Sequence, residues 1–80
     1  MNFDKNIDTV LSVNKKAHEV IKSCKTWDQY QGAERYVALV EKYYDHLQCD
    51  NTLQLEYLDN SLENIRVVLR LHKKKSLQFD

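Results

Sequence analysis

Two helix-start signals constrain this chain more than any other feature. Thr26-Trp27-Asp28-Gln29 has the form of a capping box. The Thr26 hydroxyl can accept from the Gln29 backbone N–H, and the Gln29 side chain can reach back to the Thr26 N–H. Asn51-Thr52-Leu53-Gln54 repeats the pattern with Asn as the cap. The chain contains no proline and one glycine, Gly32, so it lacks the residues that tight hairpin turns require, which argues against an all-β fold. The two signals predict helices over about 4–24, 27–47 and 52–74, with residues 75–80 as a tail and the whole chain as a single domain. Connections of only a few residues make consecutive helices antiparallel neighbours.

Hydrophobic periodicity agrees with that division. Val10, Val13, Ala17, Val20 and Cys24 follow a spacing of three and four, and Ile7, Leu11 and Ile21 widen the stripe. Ala33, Tyr36, Val40, Tyr43 and Leu47 do the same in the second helix, flanked by Tyr30, Val37 and Tyr44. Leu55, Leu58, Leu62, Ile65 and Leu69 form the seam of the third. Apolar arcs covering roughly half of a helix pack on two neighbours. The expected architecture is all-α, an up-down-up three-helix bundle.

Composition excludes several classes. At 42% apolar the chain is not disordered by composition. Eighty residues are too few for a cofactor domain beside a substrate domain. No run of about 18 apolar residues is present, so no membrane span is expected. Met1-Asn2-Phe3-Asp4-Lys5 does not open a secretory signal. Two cysteines are too few for a disulfide scaffold. A cytoplasmic protein without a cofactor or small-molecule substrate is expected.

No catalytic constellation emerges. There is no serine, histidine and acid at a motif spacing and no glycine-rich phosphate loop, so no catalytic residue and no enzyme activity is expected. His46 with Cys49, and Cys24 with His72 and His18, are the potential metal ligands. Neither set reaches four ligands at a known spacing, and no metal site is assigned. His72 continues the third seam and reads as a core-edge imidazole. Cys24 and Cys49 fall at opposite ends of the bundle, too far apart for a bridge; the first is expected to be buried and the second near solvent. Asn14 interrupts the apolar arc of the first helix and is expected to be hydrogen-bonded in the core. Most of Tyr30, Tyr36, Tyr43 and Tyr44 are expected at the core edge with hydroxyls reaching solvent, and Trp27 as a plug at the top of the core.

The third helix carries a second apolar set, Leu53, Tyr57, Val67 and Leu71, with Asn60 and Asn64 among them. These positions lie roughly 100–200° from the main seam. Either helix 3 wraps both neighbours widely, or this stripe is a protein interface with Tyr57 as its anchor. A basic pole is also expected. Lys22 and Lys25 end the first helix, and Arg66, Arg70, Lys73, Lys74 and Lys75 close the third at the same end. These cations suit the helix dipole, and together they could bind nucleic acid at low salt.

The segment Ile21-Lys22-Ser23-Cys24-Lys25-Thr26-Trp27-Asp28-Gln29, followed by Ala33-Glu34-Arg35-Tyr36-Val37 and Leu39, resembles one found in small helical proteins of bacteriophages and mobile elements. The resemblance implies a phage-like accessory protein acting in a bacterial cytoplasm, and it transfers no site residues. The expected function is therefore a protein-binding module, such as a phage-encoded inhibitor or modulator of a host or defence protein, or a homo-oligomer. Sequence-indifferent nucleic-acid binding and a structural role in a virion or assembly are the alternatives.

The net charge of zero conceals a polarity under this topology. Cutting the helices at mid-height leaves ten cations and three anions in residues 14–36 and 64–75. Residues 1–13 and 37–63 hold two cations and eight anions, and Asp80 completes the balance. Complementary poles of this kind could stack head to tail.

Overall fold

The computed structural model describes residues 2–76. The tail beyond Ser76, with Asp80, lies outside the described residues. The chain forms α1 (Ile7–Ser23), α2 (Trp27–Asp45) and α3 (Thr52–Ser76), preceded by a 3-10 turn at Asp4–Asn6. All three helices pack against one another, giving a bundle with principal extents of 49 × 17 × 16 Å.

Cross-helix bonds fix the up-down-up order. Asn14 meets Tyr44, while Tyr30 reaches Cys24, so α1 and α2 run in opposite directions. Arg66 pairs with Glu41 and Lys73 with Glu34, so α2 and α3 do too. The short connections follow from well-made caps. Thr26 Oγ1 accepts from the Gln29 N–H at 3.3 Å, and Gln29 Oε1 accepts from the N–H groups of Thr26 and Lys25 at 3.2 and 2.7 Å. At α3, Asn51 Oδ1 accepts from the Gln54 N–H at 2.9 Å, and Gln54 Oε1 accepts from the Asp50 N–H at 2.7 Å. Donors otherwise orphaned at each helix start are thereby satisfied.

The first helix begins later than its periodicity predicts. Asn2 Oδ1 accepts from the Asp4 N–H at 2.8 Å, and the Phe3 N–H donates to the Gln48 carbonyl at 2.9 Å. Asn2 and Gln48 form an isolated parallel bridge. Pinned to the α2–α3 connection, the chain turns through a 3-10 segment before α1 starts at Ile7. The turn places Phe3 in the core, where it closes the lower end of the bundle.

The core draws on all three apolar arcs. Val10, Ala17 and Ile21 of α1 join Tyr30, Ala33, Val37, Val40 and Tyr44 of α2 and Leu58, Ile65 and Leu69 of α3. Asn14 is half-buried, and its Oδ1 accepts the Tyr44 hydroxyl proton at 2.6 Å, as expected for a paired core amide.

Four expectations are corrected. Leu55 is 52% exposed despite its place in the α3 seam; it sits in the first turn, at the edge of the buried arc of Leu58, Ile65 and Leu69. Leu11 is exposed at the margin of the α1 arc. Trp27 is 55% exposed and does not plug the core, because its position in the first turn of α2 points it across toward Lys73. The hydroxyls of Tyr30 and Tyr44 do not reach solvent. Both rings are buried, and each hydroxyl is bonded inside the bundle, which removes the cost of desolvating it. The buried hydroxyl of Tyr43 has no hydrogen-bond partner among the described residues.

Candidate functional site

The second apolar set of α3 is exposed at most of its positions. Leu53 is 76% exposed, Leu71 58% and Tyr57 39%. Asn60 and Asn64 are exposed between them, and Val67 is half-buried. The main seam of α3 packs against α1 and α2, which leaves Leu53 and Leu71 of the second stripe largely in solvent. Tyr57 is braced from within the chain. Its ring meets the buried Phe3 edge-on, with centroids 6.0 Å apart. That contact restricts Tyr57 while leaving one face to solvent, a suitable arrangement for an interface anchor because less side-chain freedom is lost on binding.

The basic pole forms at the upper end. Its centre is the buried Tyr30, whose hydroxyl lies 2.5 Å from His72 Nδ1 and 3.2 Å from the Cys24 carbonyl oxygen. This contact ties the end of α1 and the last turns of α3 to the first turn of α2, and so sets Lys22 and Lys25 near the cationic end of α3. His72 is half-buried at the core edge, as its register predicts. Not all of the pole's charge faces outward. Arg66 pairs with Glu41, and Lys73 donates to Glu34 Oε1 at 2.9 Å. Lys73 Nζ also sits 4.3 Å from the Trp27 ring centroid, a cation–π contact. Trp27, Leu69, Arg70 and Lys74 line a groove there with these paired groups.

The cysteines lie at opposite poles. Cys24 is buried, with its thiol donating to the Val20 carbonyl at 3.1 Å, while Cys49 is half-buried in the lower connection. Burial raises the Cys24 thiol pKa. Burial also raises Cys49, reinforced by the carboxylates of Asp50, Asp59 and Asp4. The Tyr44 phenol is raised by burial first and by the neighbouring Tyr57, Tyr43 and Tyr36 second. In each case the folded chain holds a proton that the unfolded chain gives up earlier. Their contribution to stability is complete below the unfolded thiol range and is lost as pH rises through the folded values. The urea midpoint should therefore fall as pH rises above about 8.5. Cys24→Ala should flatten the first part of that fall; an identical slope in the variant would remove Cys24 from the account.

Among the described residues, no group of three or more His, Cys, Asp or Glu side chains could hold a metal ion. No helix among them is long and apolar enough to cross a membrane. The stripe and the tied pole thus stand as the two candidate binding surfaces, one apolar and one cationic. No protein-family model, curated protein or solved structure matches this chain.

Proposed function

We propose that this chain is a non-enzymatic protein-binding module that docks a partner on the outer face of α3. The observation that carries the reading is the exposure of Leu53, Tyr57 and Leu71 at helical spacing on a helix whose other side already meets both neighbours. Apolar and aromatic anchors with amides among them suit an interface core that still needs hydrogen bonds for orientation. The more specific role proposed, a phage-encoded modulator of a host or defence protein, rests only on the sequence resemblance of residues 21–39.

Nucleic-acid binding at the basic pole is the weaker alternative. Two of its cations, Arg66 and Lys73, are committed to carboxylates of α2. Any such binding would be indifferent to sequence and would fade steeply with salt.

Affinity capture from a bacterial lysate with salt-graded washes separates the readings. A protein retained at high salt supports the α3 face, and nucleic acid lost at moderate salt supports the pole. Leu71→Glu and Tyr57→Glu should each weaken retention at least about tenfold while leaving the helical circular-dichroism signal intact. If both variants retain the partner as the parent does, the α3 face is the wrong surface.

A further inference from the structure

The groove at the upper end of the α2–α3 side has an occupant that the same chain can supply. Its volume is about 620 Å³, and Trp27 and Leu69 provide its apolar lining. Glu34 neutralises Lys73 and Glu41 neutralises Arg66, so Arg70 and Lys74 give its mouth a net positive charge. Such a groove fits an apolar side chain flanked by carboxylates.

The lower end of the same side presents that chemistry. Leu55, Asp59, Arg66 and Lys73 are spaced by four, seven and seven residues, which places them along one side of α3. Arg66 and Lys73 bond carboxylates of α2, so this side borders α2, opposite the Leu53–Leu71 stripe. Leu55 is exposed there without a core role, and Glu56 and Asp59 are exposed beside it. From Leu55 to Leu69 is about 21 Å along the helix, at 1.5 Å per residue. One side of the molecule thus carries an apolar–acidic end and an apolar–basic end.

We propose that two copies pair antiparallel through this side, Leu55 of each entering the groove of the other. Glu56 and Asp59 then lie against Arg70 and Lys74 of the second copy. The two-fold relation makes the contact twice and closes the assembly, so no filament results. A parallel pairing would set the cationic ends against each other and is disfavoured. The pairing does not depend on the α3 stripe and leaves that face open to a different partner.

Sedimentation velocity over a range of protein concentrations tests the pairing, with Trp27 fluorescence as a local readout. Trp27 is the chain's one tryptophan. The parent should dimerise, and its emission should shift to the blue as the dimer fills the groove. Arg70→Glu and Asp59→Lys should each weaken dimerisation at least about tenfold, because each sets like charges opposite one another. An equimolar mixture of the two variants should recover the dimer, since every cross pair is again opposite in sign. A parent that stays monomeric at all concentrations overturns the proposal, even if the groove binds some other acidic protein. So does a dimer that both reversals leave intact, a mixture that fails to recover, or a dimer abolished by Leu71→Glu alone. Should either reversal unfold the chain, Arg70→Ala and Asp59→Ala read the same pairs, and unchanged dimerisation in both is equally fatal.

Discussion

Tyr30→Ala is expected to remove about 3–5 kcal/mol of stability, in the range measured for emptying a buried aromatic site. The ring is completely buried, among the largest side chains so placed. Its hydroxyl is also the point where the three helices meet at the upper end, through the Cys24 carbonyl and His72. A phenol has one proton. It goes to His72 Nδ1, 2.5 Å away, when that nitrogen is bare, and to the carbonyl of Cys24 or His72, each 3.2 Å away, when Nδ1 carries the hydrogen. Tyr30→Phe keeps the ring and deletes only these bonds, so it should cost less, about 1–3 kcal/mol. Domains of this size have a total stability of about 5–15 kcal/mol, so the alanine variant should be close to unfolding at physiological temperature. Urea denaturation of both variants separates packing from hydrogen bonding. A phenylalanine variant as unstable as the alanine one would assign the whole effect to the hydroxyl, against the packing account.

Ile65→Ala and Leu55→Ala make the second comparison. Both residues belong to the same α3 seam by spacing, yet Ile65 is wholly buried and Leu55 is about half exposed. Ile65→Ala should cost about 2–5 kcal/mol, through lost transfer free energy and the cavity left between three helices. Leu55→Ala should stay within about 0.5 kcal/mol, as is usual for surface changes. In thermal melts the first should lower Tm by about 8 °C or more, at about 4–8 °C per kcal/mol. The second should barely move it. Dilution below the dimer range keeps any contact of Leu55 with a second copy out of the measurement. Similar losses at the two positions would mean that Leu55 is covered within a single chain.

The difference between these two leucine-seam positions marks how far periodicity reaches. Spacing identifies which side of a helix is apolar, and the helices, their antiparallel order and most of their buried residues follow from it. Where along the helix the core stops depends on what else occupies its end. Phe3 is buried at the lower end, against Tyr57, and nothing in the local pattern of Asn2-Phe3-Asp4 announces it. The α3 stripe was legible because its spacing is also helical, but its exposure required knowing that α3 meets both neighbours with its other side. The groove was not legible. It combines Trp27 with residues some forty positions later, and its cations are divided between paired and outward-facing groups only by the cross-helix contacts of Glu34 and Glu41.

The sequence by itself determined the helix starts, through Thr26–Gln29 and Asn51–Gln54, because a cap is a bond between residues three apart and needs no distant partner. It also determined the two oppositely charged halves, since short connections leave little choice of topology. Tertiary structure alone decided which charges are spent inside the molecule and which tyrosine hydroxyls are buried. Those outcomes depend on distances between helices, and a pattern within one helix carries no record of the side chain that a neighbour places opposite it.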